Sequence, residues 1–300
     1  MKSVRLIFLT RIIKLPAKLI AAAAYAAQGL TAEDAWVIAY YRGLLSDQLP
    51  NLAPQYAGRM GMMAVGLSEE GIQKYLPKDP RPEGSQIVVA CCNSSQSITL
   101  SGDRRALSSL EKDLVRDQVF TRALKVEVAY HSPYMQTIAD RYSEALQRIC
   151  PQTDIKSDVV MISSVTGYPV ENKELGPSYW VKNMCSPVRF NRAIEYIFPA
   201  DKAVARRQKT KQLSIRGILE FGPHSALLGP VRQILTQQGR KEEVFCDSVQ
   251  VRGQDAYMTA LKAVGDLWTR GYPVALPAVN RSEDSASRRV LGDLPSYPWK

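Results

Sequence analysis

Six short segments between residues 60 and 128 constrain the fold of this chain most strongly. Apolar or alternating runs predict strands, and apolar residues three or four apart predict helices. The predicted segments are 60–65, 68–75, 86–91, 97–101, 104–115 and 123–128. In chain order they read strand, helix, strand, strand, helix, strand, which is the order of a ferredoxin-like α+β unit.

The rest of the chain alternates predicted strands and helices. Buried-strand candidates lie at 159–162 and 215–221, and helices are predicted at 32–45, at 133–149 and from about residue 254. Alternation of this kind indicates a parallel sheet, whose ligands gather at the carboxyl ends of the strands. We therefore expect an α/β protein with a parallel sheet and an inserted ferredoxin-like subdomain.

The charge of the chain is basic, with a formal net value of +10, but the excess is concentrated in two runs. Residues 1–20 and 202–216 each carry several lysines and arginines and no acid. The second run is interpreted as a solvated loop, because no aromatic residue is interleaved to stack on bases. The composition therefore gives little support to a nucleic-acid partner.

Cysteine usage and hydropathy indicate the compartment. The five cysteines are odd in number and irregular in spacing, which favours reduced thiols of a cytoplasmic protein over disulfides or a metal site. The sequence has no uncharged apolar run long enough to span a bilayer. We expect neither a bound metal nor a membrane location.

His131 is one of two histidines in the chain and the best candidate for a catalytic base. It precedes a predicted amphipathic helix, where we expect it to be exposed. A histidine satisfied within the core is the alternative. The residues after it, spaced for core packing, are Met135, Ile138, Ala139, Tyr142, Ala145, Leu146 and Ile149. No serine stands in a Gly-x-Ser-x-Gly context, so the base lacks the nucleophile that it would activate.

A series of short motifs, in order along the chain, carries a resemblance to a known family. They include Thr31-Ala-Glu-Asp-Ala35, Arg42-Gly43, Met60-Gly-Met-Met-Ala-Val65, Thr99-Leu-Ser-Gly-Asp103, Tyr130-His-Ser-Pro-Tyr-Met135, Ser163-Ser-Val-Thr-Gly167, Tyr179-Trp-Val-Lys-Asn183 and Glu220-Phe-Gly-Pro-His224. From about Ala21 to Trp299, the chain resembles the acyltransferase domain of type I polyketide synthases, and most closely the iterative fungal enzymes.

The resemblance implies a hydrolase-like α/β acyltransferase core and a ping-pong reaction. A serine attacks malonyl-CoA, a histidine accepts its proton, and the thiol of a phosphopantetheinylated acyl carrier protein collects the malonyl group. No bound cofactor is implied. The implied partners are the carrier protein and the other domains of a polyketide synthase.

Roles for individual residues follow from the same resemblance. His131 matches the general base, and Gly222 and Pro223 match the loop whose backbone carbonyl orients it. His224 is expected to be structural. Arg42 matches the arginine that binds the malonyl carboxylate, for which a planar guanidinium is well suited. An ordinary exposed helix arginine is the alternative for Arg42.

The chain departs from the family pattern at its N-terminal end. Ungapped spacing places the nucleophilic serine at Ala17, and no serine lies between Ser3 and Ser46. The strand before that serine and an earlier Gly-Gln-Gly motif are also expected to be missing. Residues 1–20 resemble a transit or signal peptide, or else a replaced start to a truncated domain, which we favour. The end of the chain resembles the linker after an acyltransferase domain.

We therefore expect four parts. They are an atypical basic segment 1–20, a partial large subdomain 21–57 with 129–253, a ferredoxin-like small subdomain 58–128, and a C-terminal helix with linker 254–300. Two hypotheses of function remain: malonyl transfer in polyketide biosynthesis, or a catalytically inactive remnant or carrier-protein interaction module.

Overall fold

The computed structural model describes residues 5–10, 16–76, 86–155, 157–199, 215–222 and 224–279, with the backbone alone at 5–10 and 16–19. Several features of the sequence lie outside these residues. They are Pro223, nearly all of the basic run 202–216 and the C-terminal linker from residue 280.

Strands and helices alternate along most of the chain. The strands are β1 Arg5–Thr10, β2 Met60–Val65, β3 Ile87–Ser94, β4 Ser97–Asp103, β5 Thr121–Ala123, β6 Ile215–Phe221 and β7 Phe245–Ser248. The α-helices are α1 Pro16–Ala26, α2 Ala32–Leu52, α3 Glu69–Ile72, α4 Arg104–Arg116, α5 Ala139–Ala145, α6 Pro177–Cys185, α7 Phe190–Ile197, α8 Leu228–Gln237, α9 Ala256–Thr269 and α10 Leu276–Val279. Short 3-10 helices cover Pro54–Tyr56, Pro133–Ile138 and Asn172–Glu174. None of these helices is long and apolar enough to cross a membrane.

The four-stranded sheet has the order β3-β4-β2-β5, and its pairs are antiparallel. The first strand of the unit therefore lies between the third and the fourth, as in a ferredoxin-like fold. This confirms the ferredoxin-like prediction. The position of the last strand was predicted wrongly: β5 covers Thr121–Ala123, so it shares only residue 123 with the predicted segment 123–128.

The three-stranded sheet has the order β1-β6-β7, with parallel pairs. The expectation that the N-terminal strand is missing is wrong, because Arg5–Thr10 pairs with β6 along its whole length. This apolar run satisfies the edge of β6 with backbone hydrogen bonds. The prediction of a buried strand at 159–162 is also wrong. Val159 and Val160 are exposed, and Ile162 makes a single bridge to Pro169.

Helix α2 and the segment after His131 pack together in one apolar cluster. Thr31 caps α2, since its hydroxyl accepts the backbone N–H of Asp34 at 3.1 Å, and the helix runs past the predicted end to Leu52. The stripe after His131 forms a 3-10 helix and then α5. Its prediction as core is confirmed for Met135, Ile138, Ala139, Tyr142, Leu146 and Ile149, whereas Ala145 is half-buried.

Glu220 links the end of β6 to the start of α8. Its side chain is fully buried, and its carboxylate accepts the backbone N–H groups of Ala226, Leu227 and Leu228 at 2.9–3.2 Å. A carboxylate at this place satisfies backbone donors that the helix itself leaves unpaired and lies at the positive end of the helix dipole. Glu220 therefore fixes the backbone at residues 226–228, where α8 begins.

We predict that Glu220→Ala lowers the free energy of unfolding by about 3 kcal/mol, because buried backbone donors lose a charged acceptor. Urea denaturation monitored by circular dichroism measures the change. Glu243→Ala is the matched control, since that carboxylate pairs with Arg240 at the surface and is 62% exposed. We expect its effect to stay below about 0.5 kcal/mol. Equal losses in the two variants would contradict the role of Glu220.

Candidate active site

Helix α2 brings Arg42 into the interior of the protein. The buried positions of this helix recur three and four residues apart, and Arg42 is one of them. The buried set is Ala35, Ile38, Ala39, Arg42, Leu45, Ser46 and Leu49. The arginine side chain is 2% exposed, so the alternative of an ordinary surface arginine is wrong.

Among the described residues, the guanidinium of Arg42 has a hydrogen-bond partner on one side and none on the other. Its Nη1 donates to Oδ1 of Asn183 at 2.6 Å. Its Nε and Nη2 atoms are buried and have no hydrogen-bond partner among the described residues. These two donors form one edge of the guanidinium plane, which matches the two oxygens of a carboxylate. Burial lowers the pKa of Arg42 from its ordinary value.

His131 is buried and not exposed as the sequence suggested. It is 2% exposed and its backbone has a φ of 58°, in the left-handed region that favours glycine. The chain turns at this residue into the 3-10 helix that starts at Pro133, and the turn places the imidazole inside the protein.

The contacts of His131 define its tautomer and its basicity. Nδ1 lies 2.9 Å from the carbonyl oxygen of Ser186, so Nδ1 carries the proton and Nε2 the lone pair. Nε2 is buried and has no partner in the described part of the chain. Burial, and next the charge of Arg42, lower the pKa of His131 to about 3. The imidazole is therefore neutral at physiological pH, with a lone pair able to accept a proton.

Two residues at the end of α6 hold both candidate side chains, and neither was assigned a role from the sequence. Asn183 binds Arg42 and donates from Nδ2 to Oγ of Ser164 at 3.1 Å. Ser186, the C-cap of α6, accepts from His131. The motif Tyr179-Trp-Val-Lys-Asn183 was a signal for this helix. The spacing of residues in this motif does not show that the side chain of Asn183 contacts Arg42 of α2.

Ala17 lies where a strand is followed by a helix. β1 ends at Thr10 and α1 begins at Pro16, one residue before Ala17, while residues 11–15 between them lie outside the described residues. A strand, turn and helix in this order is the arrangement that presents a nucleophilic serine. Alanine has no hydroxyl, so position 17 offers no side-chain oxygen for an acyl ester.

The role expected for Gly222 and Pro223 stays a prediction, because Pro223 lies outside the described residues. In the described part of the chain, Nδ1 of His131 contacts the carbonyl oxygen of Ser186. Gly222 directly follows β6. His224 is half-buried, with Nδ1 3.4 Å from Nη2 of Arg252. This contact is compatible with the structural role expected for His224.

Comparison with known proteins identifies the family. The model of the acyl transferase domain family matches residues 21–263. The highly reducing polyketide synthase Preu1 of Preussia isomera is 42% identical over 279 residues, which cover 93% of this chain and 11% of that protein. The highly reducing polyketide synthase alnA of Emericella nidulans is 43% identical over 284 residues, with the same coverages. The chain thus spans about a tenth of the length of the curated relatives it matches.

Solved structures show the same fold. The acyltransferase domain from the second module of the salinomycin polyketide synthase superimposes with a TM-score of 0.73 at 25% identity, over 96% of this chain and 59% of that chain. A loading acyltransferase from the avermectin modular polyketide synthase gives a TM-score of 0.67 at 25% identity, over 84% and 70%. The predictions of an α/β acyltransferase fold and of the family resemblance are confirmed.

The depressed pKa of His131 predicts a pH dependence of stability. Because the ordinary value is 6.5 and the folded value about 3, the unfolded chain binds one more proton than the folded chain between these pH values. Stability then falls as the pH is lowered, by about 1.4 kcal/mol per pH unit below pH ~6. We predict that His131→Gln flattens this part of the profile. Urea denaturation at pH 7, 6, 5 and 4, in steps of about one pH unit, measures the free energy of unfolding across this range.

His224→Gln is the matched control, because it removes the chain's other histidine from a half-buried position. A loss of the slope in this variant as well would show that the slope does not come from His131 alone. A His131→Gln profile parallel to that of the wild type would show that His131 is not buried in its neutral form.

Proposed function

The chain belongs to the acyl transferase domain family, as found in polyketide synthases, and on this premise we propose that its site selects malonyl groups for transfer. The transfer runs from malonyl-CoA to the phosphopantetheine thiol of an acyl carrier protein. The observation that carries the proposal is the buried guanidinium of Arg42, which has two donors on one edge that no described residue binds.

A malonyl group supplies the acceptor oxygens and the negative charge that this edge of the Arg42 guanidinium lacks. Its terminal carboxylate has two oxygens that accept the Nε–H and Nη2–H bonds side by side, and its negative charge offsets the buried positive charge. An acetyl group offers neither. Since Asn183 holds Nη1, the free edge of the guanidinium keeps one orientation. We expect a large difference in affinity between malonyl and acetyl thioesters, because a bound acetyl group would leave the buried donors of Arg42 unpaired.

His131 is suited to the proton transfers of the reaction. A hydroxyl oxygen that attacks the thioester carbonyl gives its proton to Nε2 of His131, and the thiolate of CoA leaves and takes up that proton. In the second half-reaction, the carrier-protein thiol attacks the ester and the hydroxyl regains its proton. Nδ1 stays bound to Ser186 throughout and keeps the lone pair on Nε2.

A second function is favoured by the absence of a hydroxyl at Ala17. Without it the chain binds a malonyl thioester but does not form an ester at that position. In this case the domain is a non-catalytic module that holds CoA or carrier-protein thioesters through Arg42. The two functions share the binding step and differ in the covalent step.

The covalent step is tested by intact-mass spectrometry of the purified chain after incubation with malonyl-CoA. A malonyl adduct that hydroxylamine removes, mapped to one residue, would establish the covalent step and identify the nucleophile. Saturable binding without any adduct, in a sample shown to be folded, would establish the non-catalytic module.

The binding step is tested with Arg42→Ala. We predict that its affinity for malonyl-CoA falls by about 10- to 100-fold, because a hydrogen bond to a charged group contributes roughly 1.5–3 kcal/mol and about 1.4 kcal/mol corresponds to tenfold. Its affinity for acetyl-CoA should not change. Isothermal titration calorimetry measures both. Arg240→Ala, which breaks a surface pair with Glu243, is the control that keeps the preference. An unchanged preference in Arg42→Ala would remove Arg42 from the site.

A further inference from the structure

The α6–α7 segment, residues 186–189, reaches from the imidazole of His131 to the small subdomain. Its first residue, Ser186, supplies the carbonyl oxygen that lies 2.9 Å from Nδ1 of His131. Its third residue, Val188, pairs with β3. The Val188 N–H donates to the carbonyl of Ala90 at 2.8 Å, and its own carbonyl accepts a backbone N–H of the same strand at 2.9 Å. The segment therefore joins the candidate base to the four-stranded sheet.

The backbone between these two contacts has little conformational freedom. Ser186 is extended, with a φ of −87° and a ψ of 155°, which is the conformation favoured before a proline. The ring of Pro187 fixes the next φ angle. Because this stiff backbone joins Ser186 to Val188, a displacement of Val188 from β3 would carry the carbonyl of Ser186 with it.

An ion pair fastens the far end of the α6–α7 segment to the small subdomain. Nη1 of Arg189 lies 2.8 Å from Oε1 and 2.6 Å from Oε2 of Glu69 in α3. The same Nη1 lies 3.4 Å from Sγ of Cys92, a buried residue of β3. The bond from Arg189 holds the pKa of Glu69 below its ordinary value. Because the two side chains are only 24% and 36% exposed, solvent screens this pair less than a fully exposed one.

Arg189 is also connected to the side of the site that holds Arg42. Its backbone N–H donates to the carbonyl of Ser164 at 2.7 Å. Oγ of Ser164 accepts from Nδ2 of Asn183 at 3.1 Å, and Oδ1 of Asn183 accepts from Arg42 at 2.6 Å. Arg189 therefore contacts supports of both candidate side chains.

We propose that Arg189 and Glu69 are positioning residues of the site. Together they hold the α6–α7 segment so that the carbonyl of Ser186 keeps His131 in the tautomer with its proton on Nδ1. They act through the backbone of that segment and link the small subdomain to the candidate base. The inference rests on the proposed function, because it concerns the base of that reaction, but it is measured on the imidazole without any thioester.

The test is a ¹⁵N NMR spectrum, at neutral pH, of the whole chain with labelled histidine rings. The chain has two histidines, so His131→Gln assigns the resonances. In the wild type, Nε2 of His131 is expected downfield of Nδ1, as an unprotonated ring nitrogen. Arg189→Ala and Glu69→Ala are each predicted to bring these two shifts closer together, because the tautomer with the proton on Nε2 becomes populated when the carbonyl of Ser186 moves.

Two further variants separate a positioning role from a general disturbance of the fold. Arg189→Lys should restore most of the wild-type spectrum, because the contacts with Glu69 and Cys92 all come from Nη1, a single donor that an ammonium group can replace. Arg189→Ala combined with Glu69→Ala should move the shifts no further than either change alone, because the two residues act as one unit.

Lys173→Ala is the matched control. Lys173 pairs with Glu171 at the same distance of 2.6 Å, shortly before α6, but both side chains are 70% exposed. We expect this variant to keep the wild-type shifts of His131. If its shifts also came closer together, loss of any charged pair near α6 would disturb the imidazole, and the assignment of Arg189 and Glu69 would be wrong.

Unchanged shifts of His131 in both alanine variants, in samples shown to be folded by circular dichroism, would overturn the proposal and leave the pair as a structural contact between the subdomains. If an alanine variant does not fold, Glu69→Gln carries the test, since it keeps the shape of the side chain and removes its charge. Unchanged shifts in Glu69→Gln would then overturn the proposal.

The outcomes for this proposal and for the proposed function are distinguishable. If the shifts of His131 respond to Arg189→Ala but the wild-type chain does not prefer malonyl-CoA over acetyl-CoA, the positioning role stands and the proposed function is wrong. If the chain prefers malonyl-CoA and the shifts do not respond, the proposed function stands and the positioning role is wrong.

Discussion

The bond between Arg42 and Asn183 is the interaction on which the candidate site depends. It joins the middle of α2 to the last turn of α6 and holds one end of a buried guanidinium at 2.6 Å. Burying a charge is costly unless hydrogen bonds and an opposite charge offset it. Among the described residues the side-chain bond to Asn183 is a neutral one, and the rest of the cation is unpartnered. No carboxylate of the described residues pairs with Arg42, and a carboxylate is the kind of ligand that an unneutralised buried cation favours.

The same charge acts on His131. Burial is the larger cause of its low pKa, and the positive charge of Arg42 is the next. A carboxylate bound to Arg42 would offset part of that charge, so the basicity of His131 would rise when a malonyl group is bound. In the proposed function, selection of the acyl group and strength of the base would be coupled through this one residue. The last turn of α6 supports both, by the side chain of Asn183 and by the carbonyl of Ser186.

Much of the fold was predictable because it rests on local patterns. The ferredoxin-like order of residues 60–123 follows from runs of apolar residues and turn residues, and the core face of α2 and α5 follows from helical spacing. The strand at Arg5–Thr10 was missed because the lack of a serine at position 17 suggested that residues 1–20 were a replaced start. The strand predicted at 159–162 failed because apolar content alone does not decide burial: Val159 and Val160 face outwards.

The two candidate side chains were found by different routes. His131 was singled out by its residue type and by the family resemblance, and Arg42 by the resemblance alone; both are buried in the structure. Ser186 was not found from the sequence, since it acts through a backbone carbonyl, which any residue has. Asn183 was missed because its contact with Arg42 spans 141 positions in the sequence. Both contacts depend on how α6 packs against α2 and the turn at His131, and such packing has no local signature.

The most direct test of a carboxylate site at Arg42 is the ¹⁵N–¹H resonance of its Nε–H group, assigned with an Arg42→Lys variant. Titration with malonyl-CoA is predicted to move this resonance downfield as a carboxylate accepts the hydrogen bond, and titration with acetyl-CoA is predicted to leave it in place. Equal responses to the two thioesters, or no response at Arg42 while other resonances shift, would contradict the account.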